Sequence, residues 1–342
     1  NGVEVLLKDN PSLQADMVVL AIGVTPDTVL AKEAGLELGI KESIVVNDRM
    51  ETSVPDIYAA GDAVQVKHYV TGNDALISLA GPANKHGRII ADNICGGDSR
   101  YLGSQGSSVI KVFDMTAATT GINETNAKKS GLEVDTVILS PMSHAGYYPG
   151  GKVMTMKVVF EKETYRLLGA QIIGYEGVDK RIDVLATVIH AGLKATQLKD
   201  LDLAYAPPYS SAKDPVNMAG FMIDNIAKGT LKQWHLEDMD KISRDKSVVL
   251  LDVRTVGEFN RGHMDGFKNI PVDELRERIN EIEKGKPVYL ICQSGLRSYI
   301  ASRILEGNGY ETYNFSGGFR FYDAVVNDRA LIEKAYACGM DY

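Results

Sequence analysis

The sequence predicts a modular α/β protein: an α/β segment at the front, an α+β segment in the middle and a second α/β segment at the C-terminal end. Three observations carry this expectation. The 342 residues exceed the ~100–200 of an ordinary single domain. Short apolar runs bounded by turn residues fill the front, and a strand–helix–strand rhythm restarts at Val248–Val253 and Val288–Cys292. Between these ends, Ser107 to about Tyr175 reads mostly as strands, and two helices follow.

In chain order, the front offers strands at Val3–Leu7, Ala15–Ile22, Ser43–Val46 and Ile57–Ala60, the last ending in Gly61–Asp62. A helix is expected over Pro82–Cys95, with Pro82 in its first turn and Gly96–Gly97 stopping it. The middle offers strands at Ser108–Phe113, Val134–Ser140, Val153–Glu161 and Leu167–Gly174, with a short helix over Asn123–Ser130. Helices over Gly177–Ala191 and Asp214–Lys228 flank the proline-bearing loop Leu203–Ser211, and Gln233–Met239 reads as a connector.

Composition narrows the function classes. With 44% apolar and 24% charged residues the chain is globular. Its net charge of −8 and lack of a basic stripe give no pull toward nucleic acid. The longest apolar runs, such as Met17–Val24, fall far short of the ~20 residues that span a bilayer. Three widely spaced cysteines, Cys95, Cys292 and Cys338, argue against a disulfide framework and for the reducing cytoplasm. The chain opens at Asn1 directly before an expected strand, which predicts a piece of a longer protein.

Cys292 ends an apolar strand and is followed by Gln293-Ser294-Gly295-Leu296-Arg297, then by a helical run expected over Ser298–Glu306. Backbone N–H groups of such a strand-to-helix loop can converge on one point, and the helix N-terminus adds positive potential. A thiolate or persulfide is stabilised there. Gly295 supplies the tight turn and Arg297 further charge. The loop Cys292–Arg297 resembles the six-residue active-site loop of the rhodanese family. Leu251-Asp252-Val253-Arg254, Glu258-Phe259, Gly262-His263, Gly266 and Ile270-Pro271 are similar to its first signature in order and spacing. The resemblance implies transfer of sulfane sulfur through a Cys292 persulfide. Asp252 and Arg254 are expected to pair around the loop as scaffold, His263 to be structural, and Cys95 and Cys338 to have no special role.

The front stretch Thr52–Ala63 puts Asp62 after an expected buried strand, where open α/β sheets bind ligands. It resembles the second FAD-binding motif of the pyridine nucleotide-disulfide oxidoreductases, whose matching aspartate bonds the ribityl chain. Ala15–Pro26 is similar to the passage from their NAD(P)H domain back to their FAD domain. Leu79–Arg88 is similar to their helix start that faces the flavin pyrimidine edge. The implied cofactor positions are Asp62, Ala63, Leu79 and Ala80. His144–Gly150 and Leu203–Ser210 look like the coenzyme A-disulfide reductase branch, in which two tyrosines reach the partner's active site. Tyr147 and Tyr205 are the best matches, with Tyr148 and Tyr209 as neighbouring alternatives.

Together the resemblances imply a partial FAD/NAD(P)-binding Rossmann-like domain, an α+β dimerisation domain and a C-terminal α/β rhodanese domain. The expected ranges are 1–23 for the end of the NAD(P)H domain, 24–105 for the FAD domain, 106–230 for dimerisation, 231–239 for a linker and 240–342 for rhodanese. FAD, NAD(P)H and coenzyme A are the implied cofactors, with small-molecule sulfur substrates and a homodimer. The chain contains neither the family's Gly-rich fingerprints nor its redox cysteine. A sulfurtransferase on a vestigial scaffold, a protein-binding rhodanese module and an NADH oxidase are the alternatives.

Overall fold

The computed structural model describes residues 2–335, and these divide into two compact units. The first runs to Lys67 and resumes over Asn73–Ser104; the second takes His68–Gly72 and the chain from Gln105 onward. Cys338 lies outside the described residues.

In the first unit, β1 (Val3–Val5) and β2 (Leu13–Ala15) form an antiparallel pair, followed by the short helix α1 (Val29–Glu33). Strands β3 (Ile44–Val45) and β4 (Val64–Lys67) run parallel, and β5 (Asp74–Ala75) is antiparallel to β4. Helix α2 (Ala80–Ile94) packs Ile89 and Ile90 onto a small core of Met50, Val64 and Val66.

Two expectations fail here. The strand expected over Ala15–Ile22 does not form beyond Ala15, which ends β2, and the apolar side chains of Met17–Val24 face solvent. An apolar run becomes a buried strand only when a neighbour completes its ladder, and among the described residues no strand pairs with it. Ile57–Ala60 is not a strand either: Tyr58 makes one isolated bridge to Glu51, and the strand comes later, as β4. Asp62 therefore sits in a 3-10 turn over Gly61–Ala63 that leads into a strand rather than at a strand's end. Helix α2 starts two residues earlier than expected, with Pro82 still in its first turn.

In the second unit, β6 (Ser108–Val112), β7 (Met115–Gly121), β8 (Val134–Leu139), β9 (Thr155–Glu161) and β10 (Leu167–Gly174) form an antiparallel sheet in the order β6-β7-β10-β9-β8. The sequence reading missed β7, because Met-Thr-Ala-Ala-Thr-Thr-Gly lacks apolar alternation. Helices α3 (Glu124–Lys129), α4 (Val178–His190) and α5 (Pro215–Ala227) accompany the sheet. Leu185 and Val188 of α4 and Ala219 and Ile223 of α5 join Met156, Val158 and Ile172 of the sheet in one core.

The chain then enters a parallel sheet of order β11-β15-β14-β12-β13. Its elements are β11 (Gln233–Trp234), α6 (Met239–Ile242), β12 (Val249–Asp252), α7 (Val256–Asn260), β13 (Lys268–Asn269), β14 (Val288–Ile291), α8 (Leu296–Glu306), β15 (Thr312–Phe315) and α9 (Gly318–Ala335). Gln233 and Trp234, expected in a connector, instead supply its edge strand. Trp234 is buried among Phe267, Tyr289 and Phe315. Alternation along β14 sends Val288, Leu290 and Cys292 into one core and Tyr289 and Ile291 into another.

Candidate functional site

Cys292 is the residue after β14, and its side chain is almost fully buried. Its Sγ accepts the N–H of Gly295 at 3.1 Å and the hydroxyl of Ser298 at 3.2 Å. Gly295 has φ +96, a left-handed conformation, and caps the 11-residue helix α8. Because that one residue reverses the chain, α8 begins at Leu296 rather than at the expected Ser298, so Leu296 and Arg297 lie in its first turn. The helix thus directs its free N–H end toward the sulfur's loop.

The loop's carbonyls are tied away from Sγ. Phe319 N–H donates to the Cys292 carbonyl at 2.8 Å, and Arg320 N–H to that of Gln293 at 3.2 Å. Asn314 Nδ2 donates to the Gly295 carbonyl at 3.1 Å, and Ser298 Oγ lies 3.1 Å from the same carbonyl, the other acceptor within reach of its one hydroxyl proton besides Sγ. Gly318 permits this approach: a Cβ there would lie 2.7 Å from Gln293 O and from Ser294 N. With the carbonyls of Cys292, Gln293 and Gly295 bonded elsewhere, the Gly295 N–H is left to the sulfur, which suits an anion there.

Asp252 and Arg254 pair as expected. The fully buried guanidinium of Arg254 donates to Asp252 at 2.6–3.1 Å and to the Gly262 carbonyl at 2.8 Å, approaches Gln293 Oε1 at 3.5 Å, and lies 3.8 Å from the centre of the Phe319 ring. Arg297 differs from expectation in one respect. Its two terminal nitrogens bind the carboxylate of Glu258, each at 2.7 Å, so its donors face that side chain rather than Cys292. That bond raises the Arg297 pKa against the effect of burial, and the nearby Cys292 and Asp252 add to the rise. The same bond holds the Glu258 carboxyl at about 2. Glu258 also closes a capping box with Thr255 at the start of α7. The Thr255–Glu258 spacing of three is a local signal from which that cap could have been read; no local signal points to Arg297 as the partner of Glu258. His263 stacks on Phe259, consistent with packing.

The two best-matched tyrosines meet. Tyr147 and Tyr205 are exposed, and their hydroxyls lie 3.0 Å apart although 58 positions separate them. The hydrogen bond from Tyr147 raises the Tyr205 pKa above that of an ordinary phenol. Tyr148 packs edge-on to His144, and Tyr209 lines an open cleft of about 550 Å³ together with Tyr205, His144, Glu176 and Lys180. The sequence reading missed what joins these loops. Arg181 of α4, buried, donates to Asp214 at 2.9 Å, to the Ser143 carbonyl at 2.9 Å, to Ser210 Oγ at 3.1 Å and to the Gly177 carbonyl at 3.1 Å. Ser143 leads into the Tyr147 loop and Ser210 closes the Tyr205 loop, and Ala145 N–H bonds the Ser210 carbonyl at 3.0 Å.

In the first unit, the turn Gly61–Ala63 lies against the first half of α2, where Gly61 N–H donates to His86 Nδ1 at 3.2 Å. Asp62 is exposed and has no hydrogen-bond partner among the described residues, and Leu79 provides no side-chain cap for the first turn of α2. The turn packs against α2 at Ala83 and His86, so an exposed carboxylate and an uncapped helix start lie on the same element pair, donor and acceptor types that suit a ligand carrying hydroxyls and an electron-rich edge, as a flavin does. Asp62, Ala63, Leu79 and Ala80 fit that group. Among the described residues no cluster suits a metal ion, and no helix is long and apolar enough to cross a membrane.

Comparison with known proteins agrees in all three regions. Residues 1–87 match the family model of pyridine nucleotide-disulphide oxidoreductases, residues 107–215 its dimerisation domain, and residues 235–324 the rhodanese-like domain. A NAD(P)H sulfur oxidoreductase (CoA-dependent) of Pyrococcus furiosus is 39% identical over 214 residues, which are 63% of this chain and 48% of that protein. A coenzyme A disulfide reductase of Staphylococcus aureus is 34% identical over 222 residues, 65% of this chain and 50% of that one. The crystal structure of reduced Bacillus anthracis CoADR-RHD superposes with a TM-score of 0.91 at 47% identity, covering 95% of this chain and 58% of that chain. A NAD-dependent persulfide reductase from A. fulgidus gives 0.84 at 41% identity, covering 91% and 57%. The chain spans about half the length of the curated relatives it matches.

Two outcomes follow from the buried and bridging charges. Asp214→Ala strands the Arg181 guanidinium and is expected to cost ~3–5 kcal/mol in a denaturant melt, whereas Arg181→Met with Asp214→Ser recovers part of it. A loss below ~1 kcal/mol for the single variant would show that Arg181 is not dependent on Asp214. Glu258 has a depressed folded-state pKa, so its pairing stabilises fully above its ordinary value of 4.5 and fades as pH falls toward about 2. The melting-temperature gap between wild type and Glu258→Gln is expected to close over that window. A gap that persists at the acid end contradicts the assignment.

Proposed function

For a chain that belongs to the pyridine nucleotide-disulphide oxidoreductases over residues 1–87 and 107–215 and to the rhodanese-like domains over 235–324, we propose a flavin-dependent NAD(P)H reductase of coenzyme A disulfide, coenzyme A persulfide or polysulfide. Its C-terminal domain relays sulfane sulfur through Cys292. The observation that carries this reading is the Cys292 sulfur held by Gly295 N–H and Ser298 Oγ at the start of α8, on one chain with the Tyr147–Tyr205 pair. Relatives named as coenzyme A disulfide reductase and as NAD-dependent persulfide reductase support the reductase part of this reading, and the rhodanese-like match over 235–324 supports the relay.

In the relay, the Cys292 thiolate attacks the outer sulfur of a persulfide donor. A bond forms between the two sulfurs, the donor leaves as a thiolate, and Cys292 carries the persulfide. The loop N–H groups and Ser298 hold the negative charge on either sulfur, while Gln293, Ser294, Gly295 and Leu296 shape the opening. A coenzyme A thiolate then takes the outer sulfur and Cys292 returns to a thiolate. Arg297 acts mainly by fixing α7 to α8 through Glu258 and adds its field at short range.

Bound FAD would supply two-electron transfer between NAD(P)H and the sulfur substrate. Asp62 would accept a hydroxyl of its ribityl chain, and the α2 start at Leu79 and Ala80 would offer N–H groups to the electron-rich ring edge, with Ala63 beside it. Tyr147 and Tyr205 supply a proton to a departing thiolate: one phenol donates while its neighbour's hydrogen bond steadies it. The dimerisation-domain match supports a homodimer, and free thiols suit work in the reducing cytoplasm.

The test uses the full-length protein that contains this chain, assayed for bound flavin and for NAD(P)H oxidation with coenzyme A disulfide, coenzyme A persulfide and oxygen. Cys292→Ala is expected to lose sulfur transfer from persulfide donors by on the order of a thousandfold while keeping coenzyme A disulfide reduction. Tyr205→Phe is expected to slow reduction about a hundredfold. A protein that holds no flavin and reduces neither substrate, yet still transfers sulfur, would leave a sulfurtransferase on an idle scaffold.

A further inference from the structure

Strand β8 is an outer strand of the antiparallel sheet, so its outward peptide groups need partners. The C-terminal sheet's side chains supply two. Ile138 N–H donates to Ser316 Oγ at 3.0 Å in a buried bond, and the Thr136 carbonyl accepts Gln233 Nε2 at 2.7 Å. Gln233 Nε2 also reaches Asp135 at 3.2 Å, and His235 Nε2 lies 3.4 Å from the same carboxylate oxygen. Burial pushes the Asp135 carboxyl up, but its bonds from His235, Thr136 N–H and Gln233 outweigh this and leave it below the usual range.

Ser316 also opens the turn from β15 into α9. Its own N–H is fixed to the Trp234 carbonyl at 2.9 Å. Gly317 and Gly318 follow, both at positive φ, with positions for a Cβ 2.8 Å from Phe321 and 2.7 Å from the Cys292 loop. The next two N–H groups, of Phe319 and Arg320, hold the carbonyls of Cys292 and Gln293. A path of hydrogen bonds and closely packed backbone therefore joins the edge of β8 to the loop whose Gly295 N–H meets the sulfur.

We infer that Ser316 is a positioning residue: through it, the seating of the C-terminal domain on the β8 edge sets the shape of the Cys292 loop. Loss of the seat lets the 317–320 turn drift, the loop carbonyls come free, and the peptide planes that face N–H toward the sulfur rotate away. The inference rests on the sulfur-carrier reading only for what the loop is used for; its geometry stands independently of that reading.

Hydrogen exchange of amides 293–297 in this chain tests it, alongside the rate of Cys292 alkylation measured against exposed Cys95 as internal reference. Ser316→Ala and the remote Gln233→Ala are each expected to raise loop exchange about three- to tenfold, the effect of one hydrogen bond. Ser316→Thr, which keeps the hydroxyl, is expected to restore protection. Unchanged exchange in Gln233→Ala overturns the inference even if Ser316→Ala has an effect, because that effect would be local. Equal loss in Ser316→Thr and Ser316→Ala overturns it too, assigning the change to side-chain volume. Neither readout requires sulfur transfer, so a coupled loop on an inactive protein would refute the proposed function and leave this inference standing.

Discussion

A guanidinium group taken out of water must have its N–H groups occupied, and both functional regions of the second unit are organised around that requirement. Arg181 meets it with Asp214, Ser143, Ser210 and Gly177; Arg254 meets it with Asp252, Gly262 and the Phe319 ring. Ser143 and Ser210 adjoin the loops that bear Tyr147 and Tyr205, and Arg254 approaches Gln293 Oε1 of the cysteine loop at 3.5 Å. The geometry of the tyrosine pair and of the cysteine loop follows from charge that would be too costly to leave unmatched.

The two sites are built to different standards of rigidity. Cys292 is enclosed by main chain: α8 starts beneath it, α9 restrains its carbonyls, and glycines at 295 and 318 allow approaches that a Cβ would block or strain. Such a cradle is fixed before any substrate arrives, which is what stabilising a transient sulfur anion demands. Tyr147 and Tyr205 instead stand exposed at a cleft, held to each other by one hydrogen bond. Their positions are set by the loops that Arg181 clamps rather than by burial of the rings.

Among the described residues the first unit has the smaller core. Its core is a handful of side chains around Met50, Val64 and Val66, and the apolar run at Met17–Val24 stays exposed. What it does fix is local: His86 ties the Gly61–Ala63 turn, with its exposed Asp62, to α2.

The sequence by itself determined what depends on neighbouring residues. Leu167–Gly174 was legible as a strand and Val288–Ile291 with Cys292 as a strand entering a loop, because side-chain periodicity and a well-placed glycine act over a few positions. The Cys292–Arg297 motif and the tyrosine stretches were legible for the same reason. Only the tertiary structure decided which distant groups complete them: Glu258 for Arg297, Asp214 for Arg181, Ser316 for the edge of β8, and Tyr147 for Tyr205. It also decided that the Thr- and Ala-rich β7 is a strand inside the sheet and that the more apolar Met17–Val24 is not a strand. A ladder hydrogen bond or a buried ion pair needs its partner in place, and chain order does not say which groups folding will bring together.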